Sequence, residues 1–182
     1  MPYPIRIVGD KVVLREFTPA DVDDVLEIIG DDQVTQWLSF DSRSHAEATA
    51  MIRGTVERAQ QEPRAEFYLA VTARGAEERV IGFARIGLAG VKAGKLGYAT
   101  AAKVWGHGYA TDAARTLTAY AFQELGLHRV SAAIGPENTA SIAMVEKLGF
   151  TKEGILRDHV FTNGTWRDSV LYSVLAHEWQ AP

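Results

Sequence analysis

The sequence predicts a mixed α/β domain with a mostly antiparallel central sheet. From Glu66 to Ala102, apolar residues recur with a period of two, which favours a run of strands joined by short polar turns. Capped segments with a helical period precede and follow this run. At 182 residues the chain is long enough to bury a core of its own, and we expect one domain covering 1–182.

The N-terminal part predicts two strands and two helices, at Ile5–Val8, Val12–Phe17, Thr18–Gly30 and Ser44–Ala59. Gly9-Asp10 between the strands is typical of a hairpin turn. Thr18 is a suitable N-cap for the first helix. Ser44 and Glu47 form a capping box for the second.

The rest of the chain alternates strands with helices. Strands are predicted at Phe67–Thr72, Arg79–Leu88, Lys95–Ala102 and Arg129–Ile134. The helix Gly108–Leu125 has small residues on its apolar face, which would let it lie close to the sheet. Near the C-terminus, Asn163-Gly164 predicts a type I′ hairpin between Ile155–Phe161 and Trp166–Leu175.

Composition limits the kinds of function. The chain is 47% hydrophobic and 23% charged with a net charge of −4, which argues against a nucleic-acid partner. It has no cysteine, and its five histidines lack metal-ligand spacing, so we expect no metal. No apolar run is long enough for a membrane span and nothing resembles a signal peptide, so we expect a cytoplasmic protein without membrane contacts.

The segment 103–112, K-V-W-G-H-G-Y-A-T-D, carries the first motif that points to chemistry. Gly106 and Gly108 lie where a strand turns into a helix. A helix N-terminus leaves N–H groups unpaired and carries partial positive charge, while glycine lets a ligand approach the main chain. The motif therefore predicts a cradle for a phosphate or pyrophosphate group.

Two common nucleotide motifs fit this segment poorly. A dinucleotide fingerprint needs a third glycine where Thr111 stands, which disfavours a nicotinamide-dependent oxidoreductase. A P-loop needs Ser or Thr after Gly-Lys, and Gly94-Lys95 is followed by Leu96.

A second motif, N-T-A-S-I-A-M-V-E-K-L-G-F, occupies residues 138–150. Asn138 is a good N-cap and Gly149 a good terminator, so the motif by itself indicates only a capped helix. Together, however, the two motifs resemble the GNAT acetyltransferases. Trp105, Gly108 and Ala110 take the places of the family's Arg/Gln-x-x-Gly-x-Gly/Ala pattern, and 138–150 resembles Asn-x-x-Ser/Ala … Lys-Leu-Gly-Phe.

The form W-G-x-G-Y-A-T is similar to the RimJ/RimL branch, the ribosomal-protein N-terminal acetyltransferases and their relatives. The flanking segments Gln33–Phe40 and Gly154–Trp179 resemble the same branch. The resemblance implies a GNAT-like sheet with helices on both faces. It also implies transfer of an acyl group from acetyl-CoA to a primary amine, by direct attack in a ternary complex, with CoA as product.

The resemblance also assigns roles to residues. It places the CoA pyrophosphate on the glycine loop and the pantetheine arm beside the preceding strand, which implicates Thr100, Ala101, Ala102, Trp105, Gly106, His107, Gly108, Tyr109, Ala110, Thr111 and Asn138. Many GNAT enzymes protonate the departing thiolate with a tyrosine where this chain has Val145. In the RimJ/RimL branch the proposed donor is a serine, matched by Ser141, so Ser141 and Asn138 are the predicted catalytic residues. Ser141 as a helix residue that only contacts backbone is the alternative.

The general base and the acceptor pocket are less defined. The titratable candidates for the base are Glu66, His107, Asp112 and His159, and none stands out. Counting back from the Asn163-Gly164 turn puts His159 opposite Asp168, a predicted cross-strand pair. The residues predicted to shape the acceptor pocket are Trp37, Arg85, Tyr98 and His159.

Several alternatives stay open at this point. The acceptor is either a protein N-terminus or a small-molecule amine, and the acyl group is acetyl or another such as succinyl. A homodimer and a monomer are both compatible with the sequence. The rival function is a catalytically silent acyl-CoA sensor, since Val145 cannot donate a proton and no base is evident.

Overall fold

The computed structural model describes residues 3–180; residues 1, 2, 181 and 182 of the predicted domain lie outside this range. Its eight-stranded sheet has the spatial order β1-β2-β3-β4-β5-β6-β8-β7. The strands are β1 (Arg6–Val8), β2 (Val12–Arg15), β3 (Glu66–Ala73), β4 (Ala76–Leu88), β5 (Ala93–Thr100), β6 (Arg129–Ile134), β7 (Thr151–Thr162) and β8 (Thr165–Leu175). The helices are α1 (Val22–Ile29), α2 (Asp32–Thr35), α3 (His45–Ala59), α4 (Tyr109–Gln123) and α5 (Thr139–Lys147).

The sheet separates two apolar cores, because alternate side chains of a strand point to opposite faces. On β3, Phe67 and Leu69 pack with α4 and α5, whereas Tyr68 and Ala70 pack with α1 and α3. The structure thus confirms the predicted mixed fold, with a mostly antiparallel sheet and helices on both faces. Among helices lying within residues 3–180, none is both long and apolar enough to span a membrane.

The helix caps agree closely with the sequence. Ser44 and Glu47 make the predicted capping box at the start of α3, where the Ser44 N–H donates to the Glu47 carboxylate over 2.8 Å. Thr18 precedes a 3-10 turn, Pro19–Asp21, rather than the α-helix itself, which begins at Val22. α2 lies in a segment for which the sequence predicts no helix, because four residues are too few to establish a period.

Two boundaries near the glycine motif differ from prediction. The strand predicted at Lys95–Ala102 ends at Thr100, because Ala102–Val104 forms a 3-10 turn. The following helix is shorter than predicted at both ends and covers Tyr109–Gln123.

Parallel pairing occurs between β5 and β6, and it is brief. Ala93, Gly94 and Lys95 pair with Arg129, Val130 and Ser131, after which the strands diverge. From residue 96 onward β5 pairs with β4 alone, and the last part of β6 pairs with β8 alone. We call the gap between 96–100 and 132–134 the fork. It leaves two strand edges without a neighbour in the middle of the sheet.

Candidate active site

The glycine loop follows β5 at the open end of the fork. Gly106 and Gly108 have φ values of 79° and 81°, a region that side-chain-bearing residues rarely adopt, and Gly108 caps α4. The backbone N–H groups of residues 106–111 donate to no backbone carbonyl of residues 3–180. The loop and the first turn of α4 therefore present unpaired donors, as an anion-binding cradle requires.

Two aromatic side chains brace this loop. The Trp105 indole N–H donates to the Thr100 carbonyl over 3.0 Å. His107 places Nδ1 2.9 Å from the Trp105 carbonyl, and its ring stacks on Tyr109. A carbonyl oxygen can only accept a hydrogen bond, so His107 Nδ1 must carry a proton and donate it to the Trp105 carbonyl. While this hydrogen bond is formed, Nδ1 cannot act as a base.

In the strand before the loop, some residues have backbone groups that face the fork, and others have backbone groups that are already hydrogen-bonded. The Ala101 N–H donates to the Ile81 carbonyl on β4, and the Ala102 carbonyl accepts from the Trp105 N–H. Because successive residues of a strand point their backbone groups in opposite directions, Tyr98 and Thr100 direct theirs into the fork. Of the three strand residues predicted to contact pantetheine, Thr100 is the best placed because its N–H faces the fork, although its carbonyl accepts from Trp105. Ala101 and Ala102 already have backbone partners.

Asp112, a candidate base, is buried beneath the loop with 3% of its surface exposed. Its carboxylate accepts from the N–H groups of Lys11 and Val12, over 2.7 and 3.0 Å, and pairs with Arg115. Burial would raise the pKa of Asp112, but the hydrogen bonds from Arg115, Lys11 and Val12 outweigh it, and the pKa lies below its ordinary value. Asp112 therefore fastens the β1–β2 turn to α4, and its low proton affinity makes it a poor base.

This lowered pKa predicts a pH-dependent contribution to stability. The unfolded carboxyl titrates near about 3.9, so the contribution is complete above that pH and is lost as pH falls through the lower pKa of the folded protein. Asp112→Asn should lower the free energy of unfolding by about 2 kcal/mol at pH 7. Urea unfolding should show this difference shrinking below about pH 4. The exposed Asp23→Asn is the control, and a difference independent of pH would contradict the assignment.

α5 begins beside the fork and supplies the second motif. Asn138 caps the helix as predicted, accepting the Ser141 N–H over 3.2 Å. Across the fork, the Ser141 hydroxyl lies 2.6 Å from the Tyr98 hydroxyl. Val145 is fully buried in the core beneath the helix. The structure thus brings together Tyr98, predicted for the acceptor pocket, and Ser141, predicted as catalytic.

Burial raises the pKa of Tyr98 to about 12, against a smaller opposing effect of the hydrogen bond with Ser141. The phenol therefore keeps its proton at neutral pH. Tyr98 and Ser141 thus form a hydrogen-bonded pair of hydroxyl groups at the centre of the sheet, and both carry their protons.

Glu66, a candidate base, and Arg85, predicted for the acceptor pocket, lie away from the Tyr98–Ser141 pair. Arg85 is paired in the sheet with Gly97, so its side chain points to the face opposite that of Tyr98. Its Nε donates to Glu66 over 2.7 Å, and Arg58 donates to the other Glu66 oxygen over 2.6 Å. Burial would raise the pKa of Glu66, but the two guanidinium groups outweigh it and lower the pKa. Both residues belong to an ion-pair cluster on the α3 face.

The predicted pairing of His159 with Asp168 is wrong. The turn is as predicted, with Thr162 opposite Thr165 and positive φ at both Asn163 and Gly164. Between Leu156 and Val160, however, the register shifts by a bulge. The Asp158 N–H donates to Asp168 over 2.9 Å, and His159 Nδ1 contacts the Ser169 hydroxyl at 2.9 Å. Counting back assumes an unbroken alternation, which the bulge removes.

The β7–β8 hairpin also holds a segment that sequence reasoning does not connect to it. Arg167 donates to the carbonyls of Gln36 and Leu38 over 2.6 and 2.7 Å, on either side of Trp37. The Asn163 N–H donates to Asp41 over 2.8 Å. No signal in the sequence indicates these contacts, because each joins a side chain to a backbone group more than a hundred residues away.

A cleft of about 460 Å³ lies between α2 and the hairpin turn; it is lined by Asp32, Gln33, Thr35, Gln36 and Asn163. Trp37 is 39% exposed beside it. Among residues 3–180 the structure has no cluster of three or more metal-ligating side chains.

The fork and the glycine loop lie together in the middle of the sheet, and comparison with known proteins identifies the family to which this arrangement belongs. Residues 11–151 match the family model described as an acetyltransferase (GNAT) domain. Since this match spans most of the chain, the chain belongs to the GNAT acetyltransferase family and is an acetyltransferase.

Individual relatives and a solved structure show which members of the family the chain resembles. The uncharacterized N-acetyltransferase YoaA of Bacillus subtilis (strain 168) is 29% identical over 175 residues, covering 95% of this chain and 97% of that protein. The [ribosomal protein uS5]-alanine N-acetyltransferase of Escherichia coli (strain K12) is 33% identical over 84 residues, 46% of this chain and 43% of that protein. RimJ of Mycobacterium smegmatis, solved in complex with CoA-disulfide, shares the fold with a TM-score of 0.84 at 22% identity, covering 97% and 90% of the two chains. The resemblance to the RimJ/RimL branch is confirmed.

GNAT enzymes take their acetyl group from acetyl-CoA, and the residues present fit that donor. The glycines at positive φ keep the cradle free of side chains, and the unpaired N–H groups of 106–111 suit a pyrophosphate. The fork leaves room for an extended arm between two strand edges.

Proposed function

We propose that the chain, as one domain of 1–182, transfers an acetyl group from acetyl-CoA to a primary amine by direct attack in a ternary complex. The observation that carries this proposal is the fork, with the glycine loop at its open end and the Tyr98–Ser141 pair across it. Bound acetyl-CoA supplies an activated acetyl thioester.

The loop and fork hold the donor by backbone contacts. The N–H groups of 106–111 bind the pyrophosphate, and the backbone groups of Tyr98 together with the Thr100 N–H pair with the pantetheine amides in the manner of an added strand. A backbone N–H in the fork that is directed at the thioester carbonyl would also stabilise developing negative charge. The Trp105–Thr100 hydrogen bond fixes the junction between loop and strand.

As the amine nitrogen bonds to the acetyl carbon and the C–S bond breaks, Ser141 gives its proton to the leaving thiolate. The proton that the amine loses returns through solvent to the serine hydroxyl. The Ser141 hydroxyl lies at the first turn of α5, with the backbone fixed by the Asn138 cap. Tyr98 fixes the direction of that hydroxyl and remains protonated. Ser141 is therefore the proposed catalytic donor, and Tyr98 and Asn138 are positioning residues.

The acceptor amine enters between α2 and the β7–β8 hairpin. β6 ends opposite Val170 of β8, and β8 extends from there to the hairpin turn without a neighbouring strand from residues 3–180 on that side. The tip of the hairpin therefore projects beyond the fork. Arg167 ties this tip to the segment that carries Trp37. Relatives named for acetylation of ribosomal proteins support a protein N-terminus as the acceptor. A small-molecule amine is the second candidate, since the polar cleft beside Trp37 is large enough to hold one.

Calorimetric titration with acetyl-CoA, free CoA, succinyl-CoA and NAD tests the donor. We expect binding of the CoA species and none of NAD. Thiol release with N-terminal peptides and with polyamines then identifies the acceptor class. Absence of binding by every CoA species would refute the proposal, whereas binding without turnover on any amine would favour the silent acyl-CoA sensor.

Tyr98→Phe removes one hydroxyl from the proposed pair. Because the Ser141 hydroxyl then lacks its partner, kcat should fall about fivefold, the effect of one hydrogen bond of about 1 kcal/mol. The dissociation constant for acetyl-CoA should stay unchanged. Steady-state kinetics and calorimetry measure both quantities.

The matched control is Tyr172→Phe, which removes a hydroxyl that donates to the Glu146 carboxylate of α5. If Tyr98 acts through Ser141, adding Tyr98→Phe to Ser141→Ala should cause no further loss. Additive losses in the double variant would show that Tyr98 acts independently.

A further inference from the structure

The turn between β1 and β2 lies directly on the first turns of α4. A Cβ atom on Gly9 would come within 2.5 Å of the Thr116 hydroxyl and 2.6 Å of the Asp112 carboxylate, so this close approach requires glycine. The buried Asp112 carboxylate also binds the N–H groups of Lys11 and Val12. The backbone of Lys11 is consequently fixed relative to the glycine loop.

The Lys11 side chain extends from this anchor across the loop. Its Nζ donates to the His107 carbonyl over 2.9 Å. A Cβ built on Gly108 would lie 3.1 Å from Nζ. Lys11 is exposed, and it forms no ion pair with a carboxylate among residues 3–180. An ammonium group has three donors, so two remain beyond the bond to His107.

The two carboxylates nearest to Lys11 in the chain and in space pair with another residue, so the Lys11 ammonium group can bind a ligand. The neighbouring Asp10 carboxylate is paired with Arg115, as is Asp112. A full positive charge thus lies beside the unpaired N–H groups of 106–111, in a chain whose net charge is −4. Lysine is a compact cation well suited to phosphate oxygens, and its attraction adds to that of the helix N-terminus.

We propose that Lys11 is a phosphate-binding residue of the acyl-donor site, anchored for that role by Asp112 and Gly9. The proposal rests on the proposed function, because it assumes that the cradle receives the phosphates of CoA. It adds a side-chain cation to a site otherwise made of backbone. The diphosphate and the 3′-phosphate of CoA share the required chemistry, and the diphosphate is favoured because Nζ is bound at the centre of the loop.

Lys11→Met tests this directly, since methionine keeps much of the side-chain length and removes the charge. We expect the calorimetric dissociation constant for acetyl-CoA to rise about tenfold, the effect of losing one charge-assisted contact. Its dependence on salt concentration should also weaken, because one fewer cation meets the ligand. Lys11→Arg should stay within about threefold of the wild type.

Lys152→Met is the matched control, because it makes the same change at an exposed position on β7, at the far edge of the sheet. Titration with 3′-dephospho-CoA separates the two phosphates: a loss that persists assigns the contact to the diphosphate, and one that disappears assigns it to the 3′-phosphate. Equal affinity and equal salt dependence of Lys11→Met and wild type would overturn the inference while leaving acetyl-CoA binding intact. Failure of the wild type to bind any CoA species would instead overturn the proposed function and this inference with it.

Discussion

Gly108→Trp is expected to lower the affinity for acetyl-CoA by about 100-fold or more, close to complete loss in a calorimetric titration. Gly108 has a φ of 81° and caps α4. A residue with a Cβ is strained there by about 1–3 kcal/mol, and an indole would fill the cradle in which the N–H groups of 106–111 are unpaired. Relief of the strain by a change of φ would turn those donors away from the ligand.

Gly75→Trp separates the loss of the cradle from backbone strain. Gly75 also has a positive φ, 87°, but it lies in the β3–β4 turn, where a Cβ atom would have nothing within 4 Å. This variant should carry similar strain and bind acetyl-CoA as the wild type does. Circular dichroism should report the same fold for both variants. Wild-type affinity in Gly108→Trp would exclude the loop as the pyrophosphate site.

Ser141→Ala should reduce kcat by about 10²- to 10³-fold, the range expected for loss of a positioned proton donor. The dissociation constant for acetyl-CoA should change little, because the Asn138 cap and the glycine loop are unaffected. Single-turnover kinetics at saturating donor and amine, combined with calorimetry, separate the chemical step from binding.

Ser131→Ala provides the control for this substitution. Ser131 lies on β6, where its hydroxyl makes a long 3.4 Å contact with the Gly94 carbonyl. It should retain wild-type kcat. A Ser141→Ala enzyme with wild-type kcat would remove Ser141 from the mechanism and leave it with the structural role of a helix residue.

Features set by local backbone chemistry can be predicted from the sequence. The capping box of Ser44, the cap at Asn138 and the left-handed Gly108 each depend on residues within one helical turn. The glycine loop is recognisable for the same reason. Its donors are main-chain groups, and glycine marks where the main chain must be accessible.

Features that depend on distant residues cannot be predicted in this way. Lys11 meets His107 only because a buried carboxylate in α4 holds the N-terminal hairpin. The Tyr98–Ser141 pair requires the divergence of two strands whose spacing no local pattern encodes. The displacement of His159 from Asp168 arises from a bulge, and the chain carries no glycine or proline within it to signal one.

The fork has a consequence for the mechanics of the protein. Three residue pairs join the part of the sheet formed by β1–β5 to the part formed by β6–β8. This narrow seam therefore connects two halves whose own strands pair over longer stretches. In the proposed donor complex, a pantetheine arm paired with Tyr98 and Thr100 would lie in this seam as an added strand. Donor binding would then stabilise the folded state increasingly as the donor concentration rises above the dissociation constant, and it would slow hydrogen exchange in the amides of the β5 edge. Release of CoA would expose that edge again, so donor binding and release would alternately tighten and loosen the middle of the sheet.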